Sequence, residues 1–142
     1  MAIRRQDSLG YQIGRLSRLF DRSLEDRLKN FGVLPGEFPT LVMLFEQDGL
    51  TQAELCQRIR VEQPTMANTL NRMERDGLIS RIPDPRDKRR AHIHLTKKAA
   101  DFRDDLMVAA REVPSKALAG LSVPEQDQAY AILVKMIDNL KC

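Results

Sequence analysis

Cysteine is almost missing from this chain. Cys56 and Cys142 are its two thiols, and they form neither a disulfide framework nor a Cys-x-x-Cys metal spacing, so stability has to come from packing. Aromatic side chains are also scarce, at 5 % of residues and without tryptophan, which argues against a surface built on aromatic anchors for a protein partner. No run approaches the roughly 20 apolar residues that a membrane span requires, and the two arginines before Asp7 lead into no apolar signal core. The expectation is a cytoplasmic protein with no membrane partner. The spacings of a nucleophile elbow, a phosphate loop, a His-Glu zinc motif or a working pair of carboxylates are absent too, so neither an enzyme nor a cofactor or metal is expected.

What is present is an ordinary globular balance, 42 % hydrophobic and 30 % charged over 142 residues, enough for one domain with helical extensions. The net charge of +3 is unevenly spread. Between Thr51 and Lys98 there are 11 Lys and Arg against 6 Asp and Glu, whereas the rest of the chain has 12 against 14. A basic middle between near-neutral flanks is an electrostatic footprint suited to a polyanion.

Hydrophobic periodicity supplies the architecture. Leu9, Ile13, Leu16, Phe20, Leu24, Leu28 and Phe31 recur at steps of three and four, the pattern of one face of a long helix that Gly32 would cap. A second helix should open near Gly36 and Glu37, with Pro39 in its first turn, and run to Gly49. Thr51 and Glu54 form a capping box that starts a short third helix reaching about Ile59. After Arg60-Val61-Glu62, Gln63-Pro64 opens a fourth helix with Met66, Leu70 and Met73 on its inner stripe and Gly77 at its end. The period then changes to two over Leu78–Pro83 and His92–Thr96, two strands joined by a polar tip. Thr96 caps a helix from Lys97 to about Leu118 that Pro114 should kink or split, and Ser122 with Glu125 caps a last one carrying Ala129, Ile132, Leu133, Met136, Ile137 and Leu140 along one side.

The predicted fold is therefore mainly α with a small β-hairpin wing: a winged helix-turn-helix over residues 36–98, flanked by dimerisation helices in 1–35 and 99–142. The terminal helices carry more apolar face than a monomer readily covers, which favours a homodimer. On the fourth helix Asn68, Asn71, Arg72 and Arg75 point away from the apolar stripe, with Thr65 and Thr69 on its flank and Gln63 in its first turn. Short amides and guanidinium groups on one face are what a major-groove helix uses on base edges and phosphates. The hairpin tip, Pro83-Asp84-Pro85-Arg86-Asp87-Lys88-Arg89-Arg90, is stiffened by two prolines and sets Arg86, Lys88, Arg89 and Arg90 at its far end, a shape suited to the minor groove. His92 and His94 share one face of a strand, read as a solvated or phosphate-facing pair because no third metal ligand is placed near them. Cys56 falls beside Leu55 and Ile59 on the inward side of its helix, as a buried inert thiol, while Cys142 is terminal and expected to be exposed. A winged-helix module that binds protein and lacks DNA affinity is the alternative reading.

These residues resemble the MarR (multiple antibiotic resistance regulator) family of winged-helix transcription factors. The likeness covers nearly the whole chain and is densest in Leu50-Thr51-Gln52-Ala53-Glu54-Leu55, Val61-Glu62-Gln63-Pro64-Thr65, Leu70–Ile79 and Asp84–Arg90 followed by Leu95-Thr96. The resemblance implies a bacterial DNA-binding regulator, a repressor acting as a homodimer on double-stranded operator DNA. It implies that Thr65, Asn68, Thr69 and Arg72 face the major groove. It also implies that Asp87 and Arg89 are the family's Asp-x-Arg wing motif, the aspartate orienting an arginine in the minor groove. Asn68 departs from the arginine common at that position. Family members often release DNA on binding a small aromatic or phenolic acid, and Tyr11, Arg15, Arg18 and Phe38 are the candidate linings of such a site. The reactive cysteine that a peroxide-sensing branch carries near the start of its first helix is not found here.

Overall fold

The computed structural model describes residues 4–141, so the expectation for Cys142 lies outside the described residues. The chain divides into two compact units, one up to Ala110 and one from Arg111 onward. The first unit opens with a 3₁₀ turn, Arg5–Asp7, and then α1 (Leu9–Leu28), which starts where Ser8 accepts a hydrogen bond from the Tyr11 N–H. A 3₁₀ turn, Lys29–Phe31, tightens its end, and Gly32 closes it in the left-handed region at φ 71° as expected. A second 3₁₀ turn, Pro35–Glu37, leads into α2 (Phe38–Glu46), followed by β1 (Leu50–Thr51), α3 (Gln52–Ile59) and α4 (Gln63–Arg75). The hairpin is β2 (Ile79–Pro83) and β3 (Ala91–Leu95), and α5 (Lys97–Asp101) and α6 (Arg103–Ala117) follow.

The local signals act where the side chains place them. Thr51 Oγ1 accepts from the Glu54 N–H at 3.2 Å while Glu54 Oε1 accepts from the Thr51 N–H at 3.2 Å, the reciprocal box that starts α3. Gly77, at φ 75°, ends α4, and the Leu78 N–H returns to the Met73 carbonyl at 2.9 Å. One continuous core results from Leu28, Val33, Leu41, Leu44, Leu50, Leu55, Met66, Leu70, Met73, Leu78, Ile79, Ile93, Ala99 and Leu106, with Cys56 buried at its edge as expected. Truncating one such leucine to alanine would cost about 2–5 kcal/mol.

Three expectations need correction. The second helix stops at Glu46 rather than running to Gly49, because Gln47 is already extended and the next residues turn into a strand. That strand, β1, pairs antiparallel with β3 through Leu50↔Ile93 and Thr51↔His92, so the sheet has three strands in the order β1-β3-β2. The long helix after Thr96 breaks at Phe102, where the ring meets Phe31 edge-on with centroids 5.4 Å apart. Pro114 instead lies in the last turn of α6, and the Leu118 N–H still reaches its carbonyl at 2.9 Å. At the end of the helix the proline costs one hydrogen bond, and the division falls earlier, at Phe102.

The second unit holds the end of α6 and α7 (Val123–Leu140), capped by the expected Ser122–Glu125 box. No residue of α7 is buried, and Ile132, Leu133, Ile137 and Leu140 are all exposed. In the first unit the N-terminal part of α1 is equally bare, with Leu9, Ile13, Leu16 and Leu19 exposed and Leu28 its buried residue. No helix among the described residues is long and apolar enough to cross a membrane.

Glu37 is a titratable group inside this fold. It is fully buried at the turn before α2; its Oε1 accepts from the Leu34 N–H at 2.8 Å and its Oε2 has no partner among the described residues. Burial raises its pKa, the Leu34 N–H opposes that, and Asp76, Arg72 and Arg75 act from α4 and its end. A carboxyl whose folded pKa lies above its unfolded value weakens the fold progressively as pH rises from the unfolded value through the folded one, and the penalty is absent below the unfolded value. Glu37→Gln keeps the turn's acceptor and removes the charge, so it should melt above the parent at pH 7.5, with the gap closing on acidification. Thermal melts of both proteins between pH 5 and 8 check this, and a gap independent of pH would contradict it.

Candidate nucleic-acid interface

Packing determines which face of α4 is available. Met66, Leu70 and Met73 are essentially fully buried, and Thr40 of α2 lies beneath them with its hydroxyl 4.0 Å from the Met66 sulfur. Gln63, Thr65, Asn68, Asn71, Arg72 and Arg75 are consequently exposed. Thr69 is not. It is 6 % exposed and its hydroxyl donates to the Thr65 carbonyl at 3.0 Å, so the expectation that it faces a groove is corrected. At one helical step from Leu70 it falls on the edge of the apolar stripe, where a threonine satisfies its hydroxyl by bonding back along the helix. Arg72 leans over it, with one guanidinium nitrogen 3.5 Å from the Thr69 oxygen.

The wing has a built root and a free tip. At the root, Asp48 Oδ1 accepts from the Leu95 N–H at 2.8 Å and the Gly49 N–H donates to the Ile93 carbonyl at 3.0 Å. Gly49 sits at φ 79°, a backbone conformation that favours glycine, and a Cβ there would lie 3.0 Å from the His94 ring, which would have to move to admit it. His92 spans the structure: Nδ1 is 2.9 Å from the Gly49 carbonyl and Nε2 is 3.0 Å from Asp84 Oδ2. His94 Nδ1 is 3.4 Å from Asp48 Oδ2. His92 is therefore a tie between the sheet and its neighbouring turns rather than a solvated or phosphate-facing side chain, while His94 stays part-exposed beside Asp48. Among the described residues no three His, Cys, Asp or Glu are grouped to hold a metal ion.

At the tip each aspartate organises the residue two further on. Asp84 Oδ1 accepts from the Arg86 N–H at 2.8 Å and Asp87 Oδ1 from the Arg89 N–H at 3.0 Å. The same Asp87 oxygen lies 3.5 Å from Arg89 Nε, while the Arg89 side chain is 94 % exposed. Arg86, Lys88 and Arg90 are exposed beside it. Asp87 thus holds the arginine's base and leaves the outer edge of its guanidinium free, an arrangement suited to an anion. Between wing and α4 lies a cavity of about 530 Å³ lined by Gln52, Gln63, Ala67, Asn71, Arg81, Arg89 and neighbouring residues. Gln52 and Arg81 were not among the residues expected at the site. The available signal for Gln52 was its place directly after the Thr51 cap, matching that of Gln63 after Glu62.

Of the four candidate ligand contacts, three lie on α1 and Phe38 opens α2. Arg15 and Arg18 are exposed on α1, Tyr11 is half-buried there, and Phe38 packs against the core. None of them lines the cavity beside the wing or a second one, also about 530 Å³, between the end of α1 and the end of α4.

The architecture is that of a winged helix-turn-helix protein. Residues 35–91 match the model of the MarR family, in line with the resemblance drawn from the sequence. It is similar to solved structures over almost its full length. A MepR–DNA complex from S. aureus is 28 % identical with a TM-score of 0.86, covering 94 % of this chain and 98 % of that one. A probable transcriptional regulator from Pseudomonas aeruginosa is 27 % identical with a TM-score of 0.84, covering 94 % and 99 %. The transcriptional regulator SlyA is 28 % identical with a TM-score of 0.81, covering 91 % of each chain.

The His92 bridge titrates. The Gly49 carbonyl, then Asp84, raise its pKa, and the Arg86 N–H and His92 hold Asp84 below the usual carboxylate range. A histidine with a raised folded pKa stabilises fully below its unfolded value of about 6.5, and the contribution is lost as pH rises through the folded value. The parent should therefore lose melting temperature between pH 6 and pH 8 relative to His92→Gln, which cannot titrate. Protection of the β2–β3 amides, after correction for the base-catalysed rise in intrinsic exchange, should fall over the same interval in the parent alone. Identical pH profiles for the two proteins would rule the bridge out.

Proposed function

We propose that this protein is a DNA-binding transcriptional regulator, a repressor without catalytic activity that acts as a homodimer on double-stranded operator DNA. The observation that carries the reading is the wing tip, where Asp87 orients an Arg89 guanidinium that is otherwise open to solvent. In this reading α4 enters the major groove with Gln63, Thr65, Asn68 and Arg72 toward the DNA. Asn68 reads a base edge, Arg89 occupies the minor groove, and Arg86, Lys88 and Arg90 lie along phosphates. A narrow minor groove concentrates negative potential and rewards an inserted guanidinium more than an open phosphate does. The similarity to a regulator solved on DNA supports the same partner here.

The bare apolar faces of α1 and α7 support residues 1–35 and 99–142 as the dimerisation segments around a DNA-binding region at 36–98. Release of DNA by a small aromatic or phenolic acid, with Tyr11, Arg15, Arg18 and Phe38 as contacts, rests on the family resemblance. A cytoplasmic location fits a regulator of DNA.

Arg89→Ala should weaken binding to a duplex enriched by the parent by about 1–3 kcal/mol per half-site, and flatten the plot of log affinity against log salt by about 0.9 for each phosphate that the arginine neutralises. Folding should change by no more than about 0.5 kcal/mol. Arg89→Lys should restore most of the salt slope but not the affinity, since it keeps the charge and lacks the planar fork. Unchanged affinity of Arg89→Ala across a salt titration would remove the wing from the interface. For the dimer, deleting residues 127–142 should yield monomer or aggregate in sedimentation, and a soluble folded dimer after that deletion would overturn the assignment.

A further inference from the structure

Gln52 and Gln63 occupy equivalent places, each the first residue of its helix, α3 and α4. The Thr51–Glu54 box fixes the start of α3, and Pro64 pre-sets the first turn of α4, so both side chains leave rigid backbone. Gln52 Nε2 donates to Gln63 Oε1 at 2.9 Å. A glutamine amide carries one oxygen that accepts and one NH₂ that donates, on opposite branches of a planar group. With its oxygen turned to Gln52, Gln63 has its NH₂ left for anything outside, and that NH₂ donates to no described residue. Both side chains line the cavity between α4 and the wing, with Asn71 and Arg89 on its other sides.

We propose that Gln52 is a positioning residue for recognition: it fixes the polarity of the Gln63 amide so that this position of α4 offers DNA a hydrogen-bond donor and selects a base with an acceptor on its major-groove edge. The inference rests on the DNA-binding reading above. A purine N7, a guanine O6 or a thymine O4 accepts such a bond, whereas the amino groups of adenine and cytosine do not. A free glutamine can rotate its amide and suit either. While Gln52 donates to it, Gln63 keeps its NH₂ outward, and a side chain held in advance loses less entropy on binding.

The experiment selects bound sequences from a random duplex pool with the parent and with Gln52→Ala, Gln52→Lys, Gln52→Glu, Gln63→Ala and the double alanine variant, then titrates each against the duplex enriched by the parent. Both single alanine variants should lose preference at the same symmetric pair of positions and bind that duplex about tenfold more weakly. The double variant should be no weaker than the weaker single one, since the two residues act as one unit. Gln52→Lys can only donate, so it should retain the parent's preference. Gln52→Glu can only accept, which turns the Gln63 NH₂ inward and its oxygen outward, so cytosine, which has no major-groove acceptor, should gain preference at that position, and guanine and thymine, which have no major-groove amino group, should lose it. Melting temperatures should stay together, because position 52 is at a helix surface. A parent that enriches no sequence overturns the DNA reading, and this inference with it. If the parent enriches a sequence, three results overturn the inference alone: Gln52→Ala selecting that same sequence with unchanged affinity, single losses that multiply in the double variant, or Gln52→Glu retaining the parent's preference.

Discussion

The outward chemistry of this protein depends on one constraint, the burial of Met66, Leu70 and Met73 along a single stripe of α4. At 3.6 residues per turn a helix that commits three such side chains to a core has no freedom left in what it shows to solvent. Gln63, Asn68, Asn71 and Arg72 are presented because the apolar residues are not. Thr69 tests the same rule from the other side: next to Leu70, it is drawn into the edge of the stripe and satisfies its hydroxyl on the Thr65 carbonyl. The recognition surface is set by the core beneath it, so the rigidity of the core becomes the precision of the surface.

The wing obtains its rigidity differently. Its strands are short and β2 is mostly exposed, so apolar packing there is thin. Polar ties replace it: Asp48 to the Leu95 N–H, Gly49 to Ile93, and His92 to both Gly49 and Asp84. These bonds join the turn after α2 to β3 and to the base of the tip, so the orientation of Arg89 is inherited from the globular part rather than from the hairpin alone. The Asp87 contacts then fix only the last step, the course of the arginine from its own backbone. A loop ordered before it meets its target spends less free energy on ordering when it binds.

Features whose cause lies within four residues were legible in the sequence. The Thr51–Glu54 and Ser122–Glu125 boxes, the prolines at helix starts and the left-handed glycines at 32 and 77 acted as their chemistry requires. The features that escaped have causes far along the chain. Two residues, Leu50 and Thr51, carry no strand pattern of their own and become a strand because Ile93 and His92 lie opposite. His92 reads as a surface residue until the fold brings it to a carbonyl 43 positions away. Pro114 was the visible helix breaker, yet the break falls at Phe102, whose ring packs edge-on against Phe31. Within the site, outward faces followed from periodicity, but the Gln52–Gln63 bond needed the angle between two helices.

The exposed leucines of α1 raise a question of economy that the core answers. The cluster around Leu41, Leu44, Leu55 and Leu70 takes Leu28 and, part-buried, Leu24 from α1, so the turns before Leu24 lie outside that core. Apolar residues at helical spacing over those turns would otherwise cost solubility without return. Their regular period separates them from the scattered surface leucines that any protein carries, since chance exposure has no reason to repeat at three and four. The same holds for Ile132, Leu133, Ile137 and Leu140 on α7. A core complete without these faces can keep its fold while they are altered. Selection on what they contact is therefore separable from selection on the recognition surface, and α1 meets both demands in one helix by ending in the core and beginning outside it.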